Sequence, residues 1–72
     1  MSEMTYIFGY YNGNVGNEET FETFTEAMHA AVYKWNHLTP TERKAYTDCD
    51  KGGFFMIFDD AGFAVVDFSE VL

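Results

Sequence analysis

Residues 48–58 read DCDKGGFFMIF, and the reading of this stretch decides the fold. Counted from Asp48, it nearly spells a calcium loop. Asp48, Asp50, Gly53 and Asp59 fall at positions one, three, six and twelve of the EF-hand template, and Phe55 supplies the apolar residue at position eight. Position five, however, is Gly52, which has no side-chain oxygen. Position twelve is an aspartate, one carbon shorter than the usual bidentate glutamate. FFMIF is a run of apolar residues with strong strand preference, where the template needs an exiting helix. A strand leaving Gly53 at about 3.3 Å per residue carries Asp59 away from Asp48, so the ring of ligands does not close. The preferred reading is a helix C-terminus, a glycine turn and a strand. A calcium-responsive module built on Asp48, Asp50 and Asp59 stands as an alternative.

Working outward, DDAG (59–62) supplies a hairpin turn with Gly62 free to take positive φ, and FAVVDF (63–68) is the returning strand. Upstream, Thr39-Pro40-Thr41-Glu42 is a helix start. Thr39 caps, Pro40 takes the first helical position where its missing N–H costs nothing, and Glu42 completes a capping box. That short helix runs to about Thr47. A longer helix is expected from Thr23 to His37, with Phe24, Met28, Ala31, Val32 and Trp35 on one face and Thr23 and Glu26 as its capping box. MTYIFGYY (4–11) reads as a strand and NGNVGN (12–17) as a turn. EETFET (18–23) either pairs back as a second strand or leads into the helix. The expected fold is α+β, a single small domain over residues 1–72. Its order is β-(β)-α-α-β-β, an antiparallel sheet with one long and one short helix packed on one face.

The chain has 72 residues, a formal net charge of −8 and 19% aromatic residues. Residues 1–33 carry Glu3, Glu18, Glu19, Glu22 and Glu26 and no base. Lys34, Arg43, Lys44 and Lys51, all four bases, lie in residues 34–51 with Glu42, Asp48 and Asp50. Residues 52–72 carry Asp59, Asp60, Asp67 and Glu70. Phosphate binding requires clustered Lys and Arg, so direct contact with nucleic acid is not expected. An acidic surface suits a basic partner or serves solubility. A single cysteine, Cys49, makes no internal disulfide, which points to a reducing compartment. The N-terminal stretch MSEMTYIFGYY has neither the basic region nor the apolar run of a signal peptide, and no segment approaches the apolar length of a membrane span.

Catalytic constellations are weak. His29 and His37 lie eight residues apart on the long helix, about 80° round from each other at 100° per residue, too far apart for a shared metal. His29 falls near the apolar face and reads as partly buried; His37 suits the helix C-terminus. Cys49 stands between two aspartates, Asp48 and Asp50, which makes it a poor nucleophile candidate. Asp59-Asp60 reads as turn chemistry rather than acid–base catalysis. GYYNGNVG lacks the spacing and the lysine of a phosphate loop. No enzyme and no cofactor are expected.

The surplus aromatics are more informative. Met4, Tyr6, Phe8 and Tyr10 share one face of the first strand, with Ile7 and Tyr11 on the other. Phe54, Met56 and Phe58 likewise oppose Phe55 and Ile57. Helices on one side cover only one sheet face. The other face therefore either presents aromatics beside carboxylates to a protein partner or is completed by the termini or by a second copy. RNA-stacking sheets carry bases beside the rings, and here the neighbours are acids.

At AVYKWNHLTPTERKAY (31–46), followed by GGFFMIF (52–58), the chain resembles small proteins of bacteriophages and mobile elements. That resemblance implies the company of short acidic non-enzymatic proteins such as anti-CRISPR proteins, some of which mimic nucleic acid and occupy a basic groove. The expectation is an acidic inhibitor acting in the cytoplasm of a bacterial host. Its partner would be a basic protein surface such as that of a CRISPR effector. Glu18, Glu19, Glu22, Asp59, Asp60 and Asp67 would steer, and Tyr6, Tyr10 and Tyr11 would anchor. The alternatives are the calcium module and a homodimeric adaptor joined through the aromatic sheet face.

Overall fold

Two start signals and three glycine turns place the elements. The computed structural model describes residues 5–70. Strand β1 (Tyr6–Tyr11) turns at Asn12–Val15 into β2 (Gly16–Phe21). The Asn12 side chain closes that turn, its Oδ1 accepting from the N–H groups of Asn14 and Val15 at 2.9 and 2.7 Å. Helix α1 (Phe24–His37) begins at Thr23, whose Oγ1 accepts from the Glu26 N–H at 3.1 Å. The Glu26 carboxylate accepts from the Thr23 hydroxyl at 3.0 Å, in place of the backbone N–H that the capping box anticipated. Helix α2 (Pro40–Tyr46) has the full box: Glu42 N–H donates to Thr39 Oγ1, and Thr39 N–H donates to Glu42 Oε1 at 2.8 Å.

The DCDKGG stretch is a helix exit. Asp48 caps a single 3₁₀ turn (Cys49–Lys51) through Oδ1 and the Asp50 N–H at 3.1 Å. Gly52 takes φ +77° and Gly53 N–H donates to the Asp48 carbonyl at 2.9 Å. Strand β3 (Phe54–Phe58) follows directly, then the Asp59–Gly62 turn with Gly62 at φ +90°. β4 (Ala64–Asp67) returns, and a last 3₁₀ turn covers Phe68–Glu70.

The four strands form one antiparallel sheet in the order β2-β1-β3-β4, with both helices on one face: a small α+β fold. EETFET does pair back, in a strand that begins two residues earlier, at Gly16. Phe8, Phe55 and Ile57 from the sheet, Ala27 and Ala31 from α1, Tyr46 from α2 and Phe68 make the core. Phe55 lies at its centre, 4.9–5.9 Å by ring centroid from Phe8, Tyr10, Trp35, Tyr46 and Phe68.

The helix face differs from expectation. Ala31 is 0% exposed and Met28 and Trp35 pack against the core as expected, but Ala27, also 0% exposed, meets the sheet in place of Phe24 and Val32, which are 39% and 36% exposed. The closest approach of a helix to a sheet selects its small residues, so the larger apolar side chains are displaced to the flank. Edge protection is visible at both ends of the sheet. β2 carries Glu18 and Glu19. β4 has a register shift opposite Ile57/Phe58 that leaves Val65 unpaired between Ala64 and Val66.

Candidate protein-binding face

Side chains alternate across a strand, and the registers therefore divide the sheet into two faces. Core residues Phe8, Phe55 and Ile57 fix which face the helices cover. On the opposite, helix-free face, Tyr11 stands beside Phe54, Gly9 beside Met56 and Ile7 beside Phe58. Glu18 pairs with Gly9 from the β2 side, and Asp67 pairs with Met56 from the β4 side. Ile7, Tyr11, Phe54, Met56 and Phe58 are half-buried and lie outside the core cluster.

Gly9 organises this face. A Cβ there would come within 3.3 Å of the Phe54 ring, 3.5 Å of the Phe58 ring and 3.7 Å of Glu18 Cγ. The two rings lean over the glycine and meet edge to face, 6.2 Å apart by centroid, which is how an aromatic compensates for a strand glycine. At the β2 edge the same logic repeats: a Cβ on Gly16 would lie 2.8 Å from Tyr11 Cδ1. Tyr11 thus fills the space over Gly16, and its ring centroid is 6.3 Å from that of Phe54. Tyr11, Phe54, Gly16 and Glu18 border an open concavity of about 450 Å³.

The charge on the sheet has one sign. The strand residues include Glu18, Glu19 and Asp67 and not one Lys, Arg or His. The bases lie elsewhere. Lys34 Nζ is 4.6 Å from the Tyr10 ring centroid on the helix side. Arg43 lies over Trp35 at 5.2 Å, with Nε donating to the Trp35 carbonyl at 3.0 Å. Lys44 is on α2, and Lys51 lies in the turn after α2, beside Gly13 of the first hairpin.

The sequence-predicted site residues divide accordingly. Of the three tyrosines expected as anchors, Tyr11 lies on the open face. Tyr6 and Tyr10 do not: they pack half-buried against the core, Tyr6 edge to face with Phe24 and Tyr10 with Tyr46. The acids do not form one cluster. Glu18 is on the open face, and Glu19, its neighbour, points to the helix side. Glu22 lies exposed in the β2–α1 connection, and Asp60 in the β3–β4 turn. Asp59 is occupied locally, its Oδ1 accepting from the N–H groups of Ala61 and Phe63 at 3.0 and 2.9 Å. Asp67 Oδ1 accepts from the N–H and hydroxyl of Ser69 at 2.9 and 2.6 Å, so the carboxylate that borders the open face also turns the chain. Met4 lies outside the described residues. Phe54, Met56, Phe58 and Ile7 were absent from the anchor set, although alternation with Phe55 and Ile57 on β3, and of Ile7 with Tyr6 and Phe8 on β1, was the signal that finds them.

Other chemistry is sparse. β3 separates Asp48 and Asp50 from Asp59, so the calcium-loop positions lie at opposite ends of a strand; among the described residues no three His, Cys, Asp or Glu side chains group to hold a metal. A larger groove of about 650 Å³ lies between β2 and α1, lined by Phe8, Tyr10 and Phe21 below and by Glu19, Glu26, His29, Lys34 and His37 around it. His29 is exposed rather than partly buried, because the helix is rotated toward its alanine face. His37 Nδ1 donates to the Tyr33 carbonyl at 2.7 Å; a carbonyl only accepts, which places the proton on Nδ1. Cys49 is exposed and lines neither concavity. Among the described residues, no helix is long and apolar enough to cross a membrane.

Against protein-family models, curated proteins and solved structures, nothing matches the chain.

Proposed function

We propose that the chain is a non-enzymatic acidic binding protein, an inhibitor or adaptor of the small phage-encoded kind, which docks its open sheet face on a basic surface of a nucleic-acid-binding protein. A bacterial defence complex such as a CRISPR effector is the partner class this reading favours. One observation supports it above the others: a helix-free face carrying Ile7, Tyr11, Phe54, Met56 and Phe58, bordered by Glu18 and Asp67, on a sheet without a base. A contiguous, half-exposed apolar surface with an acidic border has the form of an interaction site, and aromatic side chains dominate such sites energetically. The acidic border steers association with a basic surface.

A second copy of the chain is the weaker occupant. Pairing two open faces brings two chains of net charge −8 together, with Glu18 and Asp67 on both sides and no strand base to offset them.

The test is capture from bacterial lysate with tagged protein at low and raised salt, with and without competing DNA. The expected result is a nucleic-acid-binding protein retained at low salt and released by salt or DNA, and no longer retained by a Glu18→Lys/Asp67→Lys variant that still folds. A partner indifferent to salt, DNA and charge reversal would overturn the proposal.

A further inference from the structure

The concavity between Tyr11 and Phe54 has the chemistry of a receptor for a single side chain, and we infer that it receives an arginine of the partner. The inference rests on the reading of the open face as a docking surface for a basic protein, and names the chemistry of one subsite on it. Two aromatic rings stand 6.3 Å apart by centroid with their planes inclined at 34°, a wedge that borders the concavity. Gly16 borders it as bare backbone, because a Cβ there would meet the Tyr10 carbonyl oxygen at 2.5 Å and Tyr11 Cδ1 at 2.8 Å. Glu18 stands at the border, exposed, with its Cγ 3.7 Å from where a Gly9 Cβ would lie. The space, about 450 Å³, is at the small end of the range for pockets that hold ligands, about 300–1,000 Å³.

Three properties of guanidinium match these three parts. Its flat face stacks on an aromatic ring, its charge is attracted to the ring faces, and its N–H edge donates in-plane to a carboxylate. An ammonium is a compact, strongly hydrated charge that stacks on nothing, so lysine fits less well. A phosphate or carboxylate ligand is disfavoured by Glu18 and by the lack of any strand base. The chain makes the guanidinium contact internally on its other side, with Arg43 over Trp35. Among the described residues no cation lies over Tyr11 or Phe54, whose ring faces border the wedge.

The experiment is a ¹H–¹⁵N titration of the full chain with a short arginine-rich peptide and with two counterparts, one with lysine and one with citrulline at every arginine. Citrulline keeps the planar shape and loses the charge. The arginine peptide is expected to shift the amides of Tyr11, Gly16, Glu18 and Phe54. The lysine and citrulline peptides should bind about tenfold or more weakly, the scale of one cation–π contact with one charge-assisted hydrogen bond. Glu18→Gln and Tyr11→Leu, each checked for unchanged Trp35 fluorescence and melting temperature, should lose that preference. Equal binding of arginine and lysine peptides, or shifts confined to the β2–α1 groove at Glu19, Glu26 and Tyr33, would overturn the subsite while leaving salt-sensitive docking intact. Failure of every peptide to bind at millimolar concentration would also overturn it. If lysate capture still succeeds in that case, the docking reading stands without the subsite.

Discussion

Phe54 and Phe55 are adjacent in sequence and point to opposite sides of the sheet. Phe55 is wholly buried among five aromatic rings, and Phe54 leans over Gly9 on the face that no helix covers. The pair separates what holds the fold together from what the helix-free face presents.

Substitution of the two should therefore diverge. Phe55→Ala removes a fully buried ring and should cost about 3–5 kcal/mol. At about 0.05–0.15 kcal/mol per residue, a domain of this size has about 4–11 kcal/mol in total, so the loss removes a large share of it. Circular dichroism should show the variant melting far below the parent chain. Phe54→Ser should lower the melting temperature modestly and leave the spectrum native.

The glycines offer a second contrast. A Cβ on Gly53 would lie 2.5 Å from the Ala45 carbonyl oxygen and 3.1 Å from that of Asp48, both backbone atoms that cannot swing aside. A Cβ on Gly62 would meet nothing within 4 Å, and only its φ of +90° opposes a side chain. Gly62→Ala should cost about 1–2 kcal/mol. Gly53→Ala should cost clearly more, because the helix exit and β3 must move apart. Urea midpoints read through Trp35 rank the two.

The α2 cap predicts a smaller effect. Thr39→Ala removes the acceptor for the Glu42 N–H and should cost about 1 kcal/mol. For a domain of this length that is a fall of about 4–8 °C in melting temperature. Pro40→Ala leaves the cap bonds in place and should change the melting temperature by less.

Calcium should be without effect. With β3 between Asp48 and Asp59, millimolar calcium is expected to leave both Trp35 emission and the melting temperature unchanged. A saturable change in either would show that the 48–59 segment can close into a ligand ring.

Local signals carried most of the fold. Thr39, Pro40 and Glu42 announce α2 because capping is a contact between residues three apart. Gly52, Gly53 and Gly62 announce their turns because positive φ and close backbone approach select glycine. Strand alternation correctly divides Tyr6 and Tyr10 from Tyr11, but it does not say which face the helices cover. That depends on long-range packing, and the anchor set mixed both faces for this reason. The α1 face was misread for a related reason: hydrophobicity ranks Phe24 and Val32 above Ala27, whereas the sheet's proximity selects the alanine. Gly9 looked like an ordinary strand glycine until the Phe54 and Phe58 rings, 45 or more positions away in sequence, were seen over it. Adjacent acids such as Glu18 and Glu19 are one patch in a charge count and two faces in a strand.

The most direct test of the account compares two surface variants as bait for the same basic partner. Phe54→Ser alters the open sheet face, and Val32→Ser alters the exposed flank of α1, both without touching a charge. Loss of the partner from Phe54→Ser with full retention by Val32→Ser is the predicted result. Retention by Phe54→Ser, or loss from Val32→Ser instead, would place docking on the helix side and contradict the account.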